Sequence, residues 1–453
     1  MTQAPLARSS APRSSGQVAR GAPPPLRGTV VQPGVEAAPP PGARVSDVAK
    51  SAFEGTQGRM RIFGVVAALF AAFFGVIGGG SLWSAASALQ RSDHNTAQVV
   101  RVLGIYADLL EADADATSAF LVGGLESPQQ RADYDASLGR VATNIAVAAQ
   151  EQPADGEALG ALNQQVQTYA ANVEQARAYN RQGLPVGATY LSNASASLRS
   201  SALPILDRLI AANKERAATE FASASRAAGL VAVGLISLVA LAFVMVWLAR
   251  RTHRYLNVPL AVGAVLVLAA LLLGSLTLRS VGSQVQTAQN GDFASTVALA
   301  TARSAAFDAK SNESLTLIAR GSGQQYEKAW QTKSASVTSQ IGRASGQPWA
   351  GLQNAWSAYT TAHQAIRKLD DSGQWDQAVA AAGSSEATSA NTTFAAFDTQ
   401  VTTALSTAKA NTEAALLAPV TWANIAGWVL LVLCLAAALL AIRGVGQRAE
   451  EYR

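Results

Sequence analysis

Four apolar windows constrain this chain more than any other feature: IFGVVAALFAAFFGVIGGGSL (62–82), AAGLVAVGLISLVALAFVMVWLA (227–249), AVGAVLVLAALLLGSLTL (261–278) and VTWANIAGWVLLVLCLAAALLAI (420–442). None holds Asp, Glu, Lys, Arg or His. A helix of roughly 20 residues crosses about 30 Å of hydrocarbon. Within lipid, only a helix or a closed barrel satisfies its own backbone. The windows therefore predict an all-α membrane protein with four transmembrane helices. The charged fraction, 14% of 453 residues, agrees with that class.

Orientation follows from Lys and Arg in the short flanks, which stay cytoplasmic. Residues 1–61, the loop 250–260 with Arg250, Arg251, His253 and Arg254, and the tail 443–453 are all basic. Four spans place all three on one side. The expectation is a multi-pass plasma-membrane protein with cytoplasmic termini, Pro259 restarting the chain for the third span, and two extracytoplasmic segments, 83–226 and 279–419. Residues 1–50 hold nine of the sixteen prolines and no aromatic side chain, so they should form a disordered basic tail. That tail could hug anionic lipid or dock a cytoplasmic protein. The first apolar run reads as a signal anchor rather than a cleaved leader. The lone cysteine, Cys434, lies inside the fourth span, which excludes a disulfide framework.

The two outer segments look like duplicates. DADATSAFLVGGLESPQQ (113–130) aligns without gaps to DAKSNESLTLIARGSGQQ (308–325), and after a five-residue shortening Leu162, Tyr169, Arg177 and Gly183 fall on Leu352, Tyr359, Arg367 and Gly373. Each segment carries an apolar seam at helical spacing: Leu159, Leu162, Val166, Tyr169, Val173 and Ala176 in the first, and Trp349, Leu352, Trp356, Tyr359, His363 and Ile366 in the second. Helix starts are marked by the capping box Ser127-Pro128-Gln129-Gln130, by Pro348 and by Pro185; Gly123-Gly124 and Gly321 to Gly323 mark turns. The spacing predicts a four-helix bundle in each segment, its first and last helices continuous with spans.

Chemistry is sparse. Three histidines, His94, His253 and His363, cannot build a metal cluster or triad within one segment, and no phosphate-binding loop, dinucleotide fingerprint or metalloprotease motif occurs. No enzymatic activity, cofactor, metal or nucleic-acid partner is expected. His363 reads as a core histidine on its seam. Trp349, Trp356 and Trp375 read as core or interface aromatics, with ligand stacking as the alternative. Gly75 and Gly79 form a GxxxG that either brings helices close or reflects chance spacing. The duplicated Asp113 and Asp308, beside Asp115 in one copy and Lys310, Asn312 and Glu313 in the other, read either as a solvated helix face or as polar tips facing a ligand or partner.

Together RTHRYLN in the hairpin, AFLVGG…SPQQRADYDA and DAKSNESLTLIARGSG…YEKAW resemble the actinobacterial GlnX-type membrane proteins, from about residue 55 to the end. The resemblance implies an extracytoplasmic solute-binding lipoprotein and a cytoplasmic Ser/Thr kinase as partners, and control of metabolism by external acidic amino acids; it carries over no catalytic residue. Three functional classes follow: a non-enzymatic transmembrane sensor or relay, an envelope scaffold, and a permease subunit. Spans without charge speak against the permease. Besides the bilayer and these partners, a homo-oligomer is compatible with the sequence.

Overall fold

Nothing in the sequence after Leu82 stops a helix before Gly123: the stretch has no proline and a single glycine. The first span accordingly runs on as one helix, α1 (Thr56–Val122), in the computed structural model, which describes residues 56–122, 126–224, 228–252, 257–344 and 350–450. The remaining helices are α2 (Pro128–Glu151), α3 (Gly156–Arg181), α4 (Val186–Ser197), α5 (Leu203–Ala224), α6 (Ala228–Thr252), α7 (Val258–Ala288), α8 (Ala294–Ile318), α9 (Gln324–Arg343), α10 (Ala350–Asp371), α11 (Trp375–Gly383) and α12 (Ala390–Glu450). Five-residue π turns join α4 to α5 (Leu198–Ala202) and α7 to α8 (Gln289–Phe293). The described residues contain no strand. The tail expected to be disordered, the Gly123-Gly124 turn, His253, Arg254, Pro348 and Trp349 lie outside them.

Four helical stretches among the described residues are long and apolar enough to cross a membrane. Their outer faces leave Leu69, Phe73, Val239, Phe243, Val265, Leu276, Trp428 and Leu439 more than half exposed. Water would not tolerate so broad an apolar surface, whereas hydrocarbon does. The chain is a multi-pass membrane protein. Gly75 and Gly79 are a real contact face: a Cβ on Gly75 would meet Cys434 Cβ at 2.7 Å, and one on Gly79 the Gly427 carbonyl oxygen at 3.1 Å. The motif thus serves the crossing of α1 and α12. Ser237 donates to the Phe70 carbonyl at 2.9 Å. Asn257 caps α7 through its side-chain oxygen and donates to the Gly444 carbonyl at 2.7 Å, tying the α6–α7 connection to α12. Arg250 and Arg251 stand exposed in the last turn of α6.

Beyond the spans, α1, α2, α3 and α4–α5 form the first bundle. The capping box of α2 is present in full, and the α3 seam is buried throughout. The second bundle departs from the expected four helices. Its last helix is split: α11 stops at Gly383 and α12 restarts at Ala390, where the Ser389 hydroxyl caps the Thr392 amide. The first bundle meets the same stretch of chain with a π turn and stays unbroken. Elsewhere the halves agree in detail. Gly183 and Gly373 both take positive φ, 68° and 78°. They end α3 and α10 with the same pair of bonds, Gly183 and Leu184 amides to Asn180 and Tyr179 carbonyls, Gly373 and Gln374 amides to Asp370 and Leu369 carbonyls.

The two bundles share one hydrophobic core, which runs from Val102 and Tyr169 through Leu299 and Phe307 to Trp356 and Phe397. At its centre α1 packs against α8. From Ala298 to Leu317 nearly every residue of α8 is buried.

Candidate functional site

A helix covered on all sides is normally apolar, yet α8 carries Arg303, Asp308, Lys310, Asn312 and Glu313. Buried charges are tolerated only when paired and hydrogen-bonded, and the pairing forms a polar seam in three layers, two between the halves and the third within the second bundle.

In the middle layer one guanidinium holds two aspartates, one from each half. Arg199 Nη1 lies 2.9 Å from Asp113 Oδ2, and its Nε and Nη2 donate to Asp308 Oδ1 at 2.9 and 2.7 Å. Asp113 also accepts from Ser195 (2.6 Å), Ser311 (2.6 Å) and Tyr169 (3.3 Å). Asp308 accepts from Asn312 at 3.1 Å and pairs with Lys333 at 2.8 Å. Burial would push the Asp308 carboxyl up; Arg199 and Lys333 outweigh it and hold the group below its ordinary range. Arg199 sits in the Leu198–Ala202 π turn, which re-aims the side chains of a helix by one residue. Asp113 and Asp308 are 0% and 1% exposed. They therefore form neither a solvated face nor an outward tip, because each is consumed by partners drawn from both halves.

A second layer ties α1 to α8 and α12. Arg303 reaches Glu111 and Asp398, both at 2.7 Å, while Arg140 reaches Glu111 at 2.8 Å and Asp108 at 3.1 Å. Asp115, half-buried and accepting weakly from Ser137 at 3.4 Å, is pushed up to about 7, first by burial and then by Glu111 and Asp133.

The third layer centres on Glu313, also buried rather than outward-facing. Lys310 Nζ and His363 Nδ1 approach it at 2.6 and 2.8 Å, and the Tyr359 hydroxyl donates at 3.2 Å. His363 Nε2 meets Glu327 at 3.2 Å, and its ring stacks on Trp330 with centroids 3.6 Å apart. With carboxylates at both ring nitrogens, both must donate, which requires the imidazolium. Burial would push Glu313 up, but Lys310 and His363 hold it down at about 2. Burial would likewise push His363 down, but Glu313 and Glu327 keep it above its ordinary range. Among the described residues no cluster of His, Cys, Asp or Glu is placed to hold a metal ion.

These shifts set a pH dependence. His363 contributes stability that is complete below its ordinary value of 6.5 and is lost as pH rises through the raised value. Asp115 acts in the same direction, from its ordinary 3.8 up through about 7. Glu313 opposes them only in acid, losing its contribution from 4.5 down to about 2. The melting temperature of the purified chain should therefore fall as pH rises from about 6, and fall less in Asp115→Asn. A flat profile in both proteins would show that neither group changes protonation as described.

Residues 88–222 match the family model of an actinobacterial sensor domain. The matched stretch runs from the middle of α1 to the end of α5, so it covers the first bundle with Asp113, Ser195 and Arg199 and stops short of the second span. The likeness supports a sensor or signalling role, and the matched stretch supplies Asp113, Arg199 and Glu111 to the seam. No curated protein and no solved structure matches the chain. Sequence reasoning found Asp113 and Asp308 but missed Arg199, Lys333, Arg303 and Glu111. A signal existed for Arg199: it follows Leu191, Ser195 and Leu198 on the buried face of its helix. Trp375, considered for ligand stacking, lies under the Arg320 guanidinium at 4.0 Å and donates to the Leu317 carbonyl at 2.8 Å.

Proposed function

We propose that the chain is a non-enzymatic transmembrane relay in which the seam between two duplicated bundles is the moving joint. One observation carries this reading: Arg199 bridges Asp113 and Asp308, and α1 and α7–α8, which bear the two aspartates, run from the bundles into spans. A displacement at the bridge is then a displacement of the spans. The matching glycine turns of α3 and α10 support the duplication, and the basic flanks support cytoplasmic termini with both bundles outside. The resemblance to GlnX-type proteins supports an acidic amino acid as the outer signal, delivered by a solute-binding lipoprotein, and a cytoplasmic Ser/Thr kinase as the reader. An effector acts on such a joint only through its different affinities for two arrangements, and tenfold corresponds to about 1.4 kcal/mol.

The test neutralises the bridge as a unit, Asp113→Asn, Arg199→Gln and Asp308→Asn together. The triple variant should insert at normal level while phosphorylation of the kinase's target no longer responds to added aspartate or glutamate. A normal response from a normally expressed triple variant would remove the bridge from signalling. That result would favour a scaffold, and amino-acid uptake by vesicles carrying the chain would instead favour a permease.

A further inference from the structure

The far end of α1 carries apolar surface that no bilayer covers. Among the described residues, exposed large apolar side chains lie on or beside the four spans, with three exceptions: Val122, Leu184 and Val186. Val122 ends α1, forty residues beyond Leu82 and so about 60 Å past the first span. Val122 and Leu184, 54% and 43% exposed, belong to the wall of an open cavity of about 670 Å³, a volume within the range of small-molecule sites. Both halves build it. Phe120 and Val122 come from α1, Leu184 and Pro185 from the α3–α4 turn, Ile318 from the end of α8 and Val379 from α11.

The wall holds a single cation, Arg320, and its position is fixed by contacts. Among the described residues Arg320 alone of the non-glycines takes positive φ, 42°. Such backbone strains an L side chain and persists only where the surroundings hold it. Here Trp375 does so: the guanidinium carbon lies 4.0 Å from the centre of the indole ring, and the indole Nε1 donates to the Leu317 carbonyl at 2.8 Å. A guanidinium over an aromatic ring keeps its in-plane N–H donors. Among the described residues no side chain accepts from them and no carboxylate pairs with the group. Asp376 is the one acid of the wall, exposed in the first turn of α11, where the helix N-terminus favours a carboxylate.

This lining selects a ligand by its chemistry. The guanidinium fork matches a carboxylate, and the apolar wall gains by covering hydrocarbon. A second negative charge would find no second cation and would share the cavity with Asp376. We propose that the cavity binds a small organic acid with one carboxylate and an apolar aromatic or aliphatic body, the carboxylate on Arg320 and the body against Val122 and Leu184. Such a ligand touches α1 and α11 at once and joins the two halves at their far ends. The site goes beyond the relay and its acidic outer signal, and binding here depends on neither.

Calorimetric titration of the full chain in lipid nanodiscs tests this with benzoate, phenylacetate, 3-phenylpropionate and the straight-chain acids from butyrate to octanoate, each corrected for empty nanodiscs. The comparison compounds are acetate, 2-phenylethanol, 2-phenylethylamine, phenylalanine and glutamate. At least one apolar acid should bind saturably and more tightly than every comparison compound. Arg320→Asn should weaken that binding by roughly tenfold or more, as loss of a charge-assisted hydrogen bond requires. Asparagine adopts positive φ readily, so the turn is kept while the charge is lost. Leu184→Ser should also weaken binding, and because Leu184 is exposed its replacement disturbs no core. Asp376→Asn should leave the affinity unchanged or raise it. Melting of the unliganded variants identifies any that fails to fold, and the remaining variants then decide. Absence of saturable binding by every apolar acid, a comparison compound that binds as tightly, unchanged affinity in a folded Arg320→Asn or Leu184→Ser, or weakening by Asp376→Asn would each overturn the proposal. Tighter binding of phenylalanine than of the apolar acids would replace it with a zwitterion site in which Asp376 holds the ammonium.

Discussion

Arg199→Ala is expected to destabilise the protein by about 3–5 kcal/mol, the cost of leaving a buried charge without its partner. Arg199 is a quarter exposed, but the carboxylates it serves are not: Asp113 and Asp308 are 0% and 1% exposed. Without the guanidinium, Asp113 keeps three hydroxyl donors, from Ser195, Ser311 and Tyr169, but no cation. Asp308 keeps Lys333 and Asn312. Most of the loss should therefore arise at Asp113, and adding Asp113→Asn to Arg199→Ala should recover more stability than adding Asp308→Asn. Thermal unfolding of the four proteins in nanodiscs measures this directly. Wild-type melting of Arg199→Ala would mean that the bridge contributes nothing to the fold, and equal recovery by the two asparagines would contradict the asymmetry in their partners.

Trp356→Ala should cost a similar amount, about 3–5 kcal/mol, by a different mechanism. The indole is 3% exposed and packs on Tyr359 and Phe397 with centroids 5.0 Å away in each case. Removing it opens a cavity at the heart of the second bundle, with Tyr359 next to Glu313 on its edge. Trp356 Nε1 is buried with no hydrogen-bond partner among the described residues. Phenylalanine would therefore forfeit less, since it keeps much of the ring contact and leaves no unpaired donor. The expected order of melting temperature is wild type and Trp356→Phe close together, with Trp356→Ala well below. An alanine variant that accumulates and melts normally but no longer responds to an outer signal would make Trp356 a recognition residue instead of a packing one.

Much of the architecture was legible because it depends on local windows of sequence. Span length, the Ser127 capping box, the α3 seam and the turn at Gly321 to Gly323 each reflect neighbours within a few residues. The split between α11 and α12 was less legible. The second bundle breaks its last helix between Gly383 and Ala390, whereas the first bundle carries its last helix through a π turn at Leu198–Ala202. The candidate site was half visible. Aspartates at equivalent places in both halves could be found by alignment, but their surroundings could not.

The sequence by itself determined an all-helical chain with four apolar spans, two long polar segments and a short list of charged residues that had to be accounted for. Only the tertiary structure decided which of those charges are interior. The stretch AAFDAKSNESLTL around Asp308 reads as a polar, water-facing helix, yet α8 is covered on every side because the two bundles merge along it. Burial of a charge is not a property of its own helix but of the helices brought against it, and the groups that make Asp113 and Asp308 tolerable lie on segments up to about two hundred residues away in sequence: Arg199 serves Asp308, and Ser311 serves Asp113. Local periodicity reports which face of a helix is apolar. It carries no record of which distant arginine will neutralise a carboxylate, and that choice makes a seam out of two separate acidic residues.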